Sequence, residues 1–312
     1  MSSRIEGTQA SIEQLYLFEV GPPTIESKFP DVREVSNYVS ALEYGLEKVK
    51  QLPICLRMVR QLHEILMRDV RGRQRAPGEF RTVQNWIGPP GCSIEQATYV
   101  PPPPDKMLTA LSEFEKFLNR PPGDLPVLVW LAMAHYQLEA IHPFLDGNGR
   151  IGRLLVTLLL CEKAVLDKPL LYLSAYFERN RQEYYDRLLR VSTHGQWTDW
   201  ISFFLRAVTR QSLDAFERSR QLIDLQQKYH TVVHRGKGSG MLLKIVDLLI
   251  ERPVVTTTHV SKVCDTTYVT ARNGIAKLID AGILKEVTGG KRNRIYIASE
   301  VLEIISKPLG KD

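Results

Sequence analysis

His142-Pro143-Phe144-Leu145-Asp146-Gly147-Asn148-Gly149-Arg150-Ile151-Gly152-Arg153 decides how this chain reads. His142 precedes a proline, which pushes it out of helical conformation and ends the apolar helix before it. Asp146-Gly147-Asn148-Gly149 is a tight turn of residues that tolerate positive φ. The series Ile151, Leu154, Leu155, Leu158 then starts a new helix. A Gly-rich turn feeding a helix N-terminus presents free N–H groups and the positive end of the macrodipole, a setting that attracts anions. Arg150 and Arg153 lie three apart on the first turn of that helix, where cations are unwelcome unless a polyanion offsets them. His142 at the mouth is a potential general base, and Asp146 is the one carboxylate of the turn. An anion cradle, a metal-capable carboxylate and a base together suit attack on a phosphoanhydride. A calcium loop is the competing reading of Asp146 and Asn148, but Thr157 stands where that loop needs a glutamate.

Outward from the loop, apolar spacing predicts helices over 35–51, 56–70, 106–118, 125–140, 150–164, 179–192 and 197–229. The stretch 71–104 is too rich in glycine and proline for a helix, and Pro101–Pro104 is extended. A Gly-rich joint at 235–240 marks a domain boundary. Beyond it, helices over 241–251, 256–263 and 267–281 precede two strands, 283–287 and 294–298, in the order of a winged helix-turn-helix. The division is therefore 1–34 as lead-in, 35–234 as the large helical domain and 235–312 as the small one.

The 312 residues, 44% hydrophobic and 24% charged, are those of an ordinary globular protein. No apolar run approaches the ~20 residues a membrane span needs. Four scattered cysteines and a start without an apolar leader lead one to expect a reducing cytoplasm. From Arg235 onward thirteen Lys or Arg face eight Asp or Glu, so most of the net charge of +6 sits at one end. That bias suits either a nucleic-acid-facing module or a solvated basic face.

All twelve loop positions match the motif of the Fic family, which the chain resembles. Phe80-Arg81-Thr82-Val83-Gln84-Asn85-Trp86 and Tyr99 to Pro104 look like the family's lead to its target-docking flap, and Tyr176 to Asn180 with Tyr184 and Tyr185 like the lining of its adenine site. The resemblance implies a mainly α Fic-type helical bundle with a small β-hairpin flap, acting as a protein adenylyltransferase that moves AMP from ATP to a Tyr, Thr or Ser hydroxyl of target proteins. His142 would be the base and Asp146 would hold Mg²⁺. Gly147, Asn148 and Gly149 would cradle the phosphates through backbone N–H groups and the Asn amide. Arg150 and Arg153 would fork onto the β- and γ-phosphates, with Ile151 and Gly152 between them in the nucleotide-binding turn. Thr98 and Tyr99 would align the target, and Tyr184 and Tyr185 would reach the adenine. Ser2-Ser3-Arg4-Ile5-Glu6-Gly7 fits the family's inhibitory pattern, in which Glu6 would pair with Arg153. A homodimer is the common state of such relatives.

Two other readings remain open at this point. One is a different transfer on the same fold, of phosphocholine or the removal of AMP; a phosphoryl-transfer variant is disfavoured by Gly149. The other is a nucleotide-sensing regulator that binds DNA through Thr267, Tyr268, Thr270, Arg272, Asn273, Lys291, Arg292 and Arg294.

Overall fold

The structure, a computed structural model, describes residues 10–20, 31–70, 76–120, 123–234, 239–288 and 294–307. The described chain is mainly α, with one three-stranded antiparallel sheet. It divides into two compact units, one built on Arg33–Ser212 and the other on Leu213 onward together with the first helix.

In chain order, α1 is Ile12–Val20, α2 Val32–Lys48, α3 Leu56–Leu66, α4 Pro104–Asn119, α5 Val127–Ile141, α6 Asn148–Glu162, α7 Leu173–Arg179, α8 Arg181–His194 and α9 Trp197–His234. In the larger unit α5 and α6 form the centre. Leu131, Leu138, Ile151, Leu154, Leu158 and Leu159 are buried, so α6 is apolar nearly all round after its first turn, as a helix enclosed by others must be. Around this pair lie Leu62 and Leu66 of α3, Leu111 and Phe114 of α4, and Trp200, Phe203 and Phe204 of α9. The Trp200 indole N–H donates to the Ala132 carbonyl at 2.9 Å, tying α9 to α5. The consequence for function is placement: the α5–α6 loop sits on a rigid base.

The second unit holds α10 (Ser239–Glu251), β1 (Val254–Thr256), α11 (Thr257–Val263), α12 (Tyr268–Asp280), β2 (Lys285–Glu286), β3 (Ile295–Ile297) and α13 (Ser299–Ser306). The sheet order is β1-β3-β2, with Val254 opposite Ile297 and Lys285 also opposite Ile297. Thr256 and Thr267 cap α11 and α12 by accepting the backbone N–H groups of His259 and Thr270. The order of three helices followed by two paired strands anticipated from the sequence is present, with β1 added.

One difference from the sequence reading follows from strand geometry. Successive residues of a strand face opposite ways, and all three of β3 are buried. Tyr296 packs into the core of α10–α12, whereas Ile295 and Ile297 join Ile12, Tyr16, Leu17 and Val20 of α1. The outer sheet face is therefore covered by α1, which the reading had placed in a separate lead-in, 1–34. Likewise Leu225, Tyr229 and Val233 of α9 pack with Ile245 and Leu249 of α10, so the compact division falls at Leu213 and not at the glycine joint at 235. The expected β-hairpin flap is a single bridge, Ile87 to Tyr99, enclosing a short 3₁₀ turn at Ile94–Gln96.

Candidate active site

The C-terminus of α5 hands the chain to the loop through His142, whose φ of 51° and ψ of 58° are left-handed. Arg81 makes that turn possible. It is 3% exposed, its Nε donates to the His142 carbonyl at 3.0 Å, and its Nη2 reaches the carbonyls of Ile141 and Pro102. Its own backbone N–H donates to the Pro143 carbonyl at 2.9 Å. A buried cation at a helix C-terminus satisfies orphan carbonyls and complements the dipole. In the sequence Arg81 stood out only through the flap resemblance, and its part in holding His142 was missed.

The half-buried His142 imidazole has Nδ1 3.3 Å from the Glu139 carbonyl. A carbonyl only accepts, so Nδ1 carries the proton and Nε2 keeps its lone pair. Burial pushes this imidazole down to about 4, with Arg81 adding to the effect and the Glu139 carbonyl and Asp146 opposing it. His142 is thus neutral at pH 7, the form a base requires.

Asn148 is 3% exposed and turned inward. Its Oδ1 accepts the Phe144 N–H and its Nδ2 donates to the Phe144 carbonyl, both at 2.8 Å. The amide that was expected to touch phosphate instead closes the loop on itself: it supplies the acceptor for the Phe144 N–H and shares the Phe144 carbonyl with Asn85 Nδ2 at 3.0 Å. Phe144 is fully buried, stacked on His63 at 3.8 Å.

At Gly147, φ is 77°, and an added Cβ would come 3.0 Å from Met67 Sδ and 3.3 Å from His63 Nε2. The position excludes a side chain twice, by conformation and by space. The Gly147 N–H donates to Asp146 Oδ1 at 2.7 Å, so in this structure the carboxylate covers one of the cradle's donors. The next N–H groups belong to the first turn of α6 and have no acceptor within the helix.

Arg150 is 5% exposed. It stands 3.6 Å from Asp146 and 3.8 Å from the buried Glu34 of α2, and its Nη2 also meets Met67 Sδ at 3.2 Å. Its Nε and Nη1 have no hydrogen-bond acceptor among the described residues. Burying guanidinium donors unmatched is costly, and an anionic ligand would satisfy them. Arg153 is buried too, and its charge helps hold His135 low. Ile151 and Gly152 are buried in the helix below.

The remaining expected residues divide. Tyr184 is 1% exposed; its hydroxyl meets His135 Nε2 at 2.9 Å and its ring stacks on Phe177, so it is a core residue and not an adenine contact. Tyr185 is exposed, with the Arg181 guanidinium 5.7 Å over its ring. Tyr99 donates its hydroxyl to the Ala140 carbonyl at 2.9 Å, anchoring the flap to α5, and Thr98 is exposed beside it. Glu6, Lys291 and Arg292 lie outside the described residues. A magnesium ion fits this donor set, since magnesium takes one or two carboxylates and fills its shell with phosphate oxygens and water. Asp146, 36% exposed at the mouth, would be the residue to hold it. No cluster of three His, Cys, Asp or Glu able to hold a metal by itself occurs among the described residues, nor is any described helix long and apolar enough to cross a membrane.

Comparison with known proteins agrees with this geometry. Residues 53–160 match the Fic/DOC family and residues 1–47 its N-terminal region. Relatives described as protein adenylyltransferase Fic include one from Drosophila grimshawi, 27% identical over 63% of this chain and 37% of its own length. Another, from Drosophila erecta, is 28% identical over 76% of this chain and 44% of its own. The chain thus spans less than half the length of these relatives. Among solved structures, a Fic family protein from Desulfovibrio desulfuricans superposes with a TM-score of 0.58 at 20% identity, covering 95% of this chain and 83% of that one. Fic-1 from C. elegans gives 0.53 at 20% identity over 70% and 61%. With the motif at 142–153, the helical fold around it and these matches, the chain belongs to the Fic/DOC family.

Proposed function

We propose that the chain transfers AMP from ATP to a hydroxyl side chain of a protein. The observation that carries this reading is Arg150, a nearly buried arginine at the helix N-terminus with two guanidinium nitrogens lacking acceptors among the described residues, on the loop that begins at the neutral His142. Arg150, Arg153 and the first N–H groups of α6 bind the terminal phosphates, which places the α-phosphorus before His142. His142 Nε2 takes the hydroxyl proton as the oxygen attacks the α-phosphorus. The bond from that phosphorus to the bridging oxygen breaks, and pyrophosphate leaves with the electron pair. Mg²⁺ at Asp146, when bound, supplies charge neutralisation on the phosphates. A phosphate near His142 raises the imidazole from its low value toward the working range of a base.

The test is ATP labelled at the α-phosphate, with Mg²⁺, followed by intact mass of the protein and of bystander substrates. One added AMP in the parent and none in His142→Ala supports the reading. Labelling that survives in His142→Ala, or none with ATP but transfer from a phosphocholine diphosphate donor, goes against it.

A second activity is favoured by α12, whose exposed face carries Tyr268, Val269, Arg272 and Asn273, with no acid until Asp280. We infer that this face binds duplex DNA in the major groove. Binding should weaken with salt, and Arg272→Ala should lower the salt slope by about one. No binding at low salt would remove this reading.

A further inference from the structure

The reaction leaves unused the one buried imidazole that lies directly under the loop. His63 of α3 is fully buried, and three contacts define it. Its ring lies flat on Phe144, 3.8 Å between centroids and 6° between planes. The Gly78 N–H meets Nδ1 at 2.9 Å, and Nε2 is 2.9 Å from the Asp146 carbonyl. An N–H can only donate and a carbonyl can only accept. Both partners therefore select the same neutral tautomer, with a lone pair on Nδ1 and the proton on Nε2. Burial holds this ring at about 4, which keeps it in that form.

The Asp146–Gly147 peptide is trans, as are all the described peptide bonds. Across a trans peptide the C=O and N–H point in opposite directions. A carbonyl held down onto His63 turns the Gly147 N–H up toward the mouth, where Asp146 Oδ1 accepts it at 2.7 Å. One imidazole thus fixes the direction of a cradle donor and of the carboxylate bonded to it. Met67, one turn beyond His63 at the C-cap of α3, closes the same floor against Gly147 and Arg150.

We propose that His63 is a positioning residue for nucleotide transfer, setting the Asp146–Gly147 peptide through the Nε2–H bond to the Asp146 carbonyl. The competing explanation is that His63 only fills space under Phe144. The proposal rests on the AMP-transfer reading for its activity readout, but its geometry can be read without it.

Three substitutions separate the contacts. His63→Gln places an amide N–H where Nε2 was and keeps the bond to Asp146. His63→Asn keeps an acceptor for Gly78 and loses Asp146. His63→Phe keeps the stacking and loses both bonds. The full-length protein is assayed for AMP transfer as kcat and KM for ATP, and for hydrogen exchange of the peptide covering 142–150. Asn and Phe variants should lose about 10²-fold, mainly in kcat, the scale of a small misplacement at a reacting centre. They should also exchange faster at the loop, while Gln stays within a few-fold of the parent in both. A Phe variant equal to the parent overturns the proposal, as does a Gln variant that falls as far as Phe. If the parent itself transfers no AMP, the AMP-transfer reading fails, and the order of exchange rates among the variants decides His63.

Discussion

Replacing Gly147 by alanine tests whether the loop floor is as tight as it looks. Two costs add. Alanine at a φ of 77° pays a left-handed penalty of about 1–2 kcal/mol. Its Cβ also sits 3.0 Å from Met67 Sδ and 3.3 Å from His63 Nε2, two side chains that are 1% and 0% exposed and have no solvent to retreat into. Overpacking of that kind costs about 1–3 kcal/mol. Gly195 is the matched control: it lies in the same unit, at a φ of 64°, with nothing among the described residues within 4 Å of an added Cβ. Gly195→Ala therefore carries the conformational cost alone. Urea or thermal unfolding of the two variants isolates the packing cost as their difference, about 1–3 kcal/mol. At roughly 2–4 °C per kcal/mol for a unit of this size, Gly147→Ala should melt several degrees below Gly195→Ala. A double-mutant cycle with Met67→Ala should return part of the loss, since the two sites touch. Equal destabilisation of the two glycine variants would refute the reasoning.

Three other outcomes are expected. His63, His135 and His142 are held at about 4, 3 and 4 by burial, against ~6.5 in the unfolded chain. The unfolded state binds more protons below pH 6.5, so stability is full above that pH and falls as the pH drops toward the folded values. Near pH 5 each imidazole contributes up to about 1.4 kcal/mol per pH unit, and a urea midpoint that stays flat from pH 7 to pH 5 contradicts this. Tyr184→Phe removes the bond to His135 and should cost about 1 kcal/mol of stability with ATP affinity unchanged; a tenfold loss of affinity would place its hydroxyl at the nucleotide. Arg81→Met should release the α5 carbonyls and lower AMP transfer by about 10²-fold, and undiminished turnover would show that the clamp does not position His142.

Local chemistry explains what could be read in advance. Proline after His142, the glycines of the turn and the 3.6-residue spacing of Ile151, Leu154, Leu155 and Leu158 all act over a few residues, and the structure has the loop and α6 where they put it. The order of the three helices between 239 and 280 was legible for the same reason, since the Thr267 cap and the break at 264–266 are local signals.

What the sequence alone determined about this protein is thus most of its helices, its Gly-rich turn and the residue types at the site. Only the tertiary structure decided which groups hold that turn. His63 reaches Asp146 across 83 residues and Arg81 reaches His142 across 61, and nothing in either neighbourhood distinguishes them from ordinary core or surface positions. The same holds for Tyr184, whose aromatic spacing fits a ligand contact or a core position equally well until Phe177 and His135 are seen against it. It holds for α1, which joins the second unit because β3 is apolar on both faces and needs a cover on each. Burial and hydrogen-bond satisfaction are properties of the assembled chain, and they chose these partners.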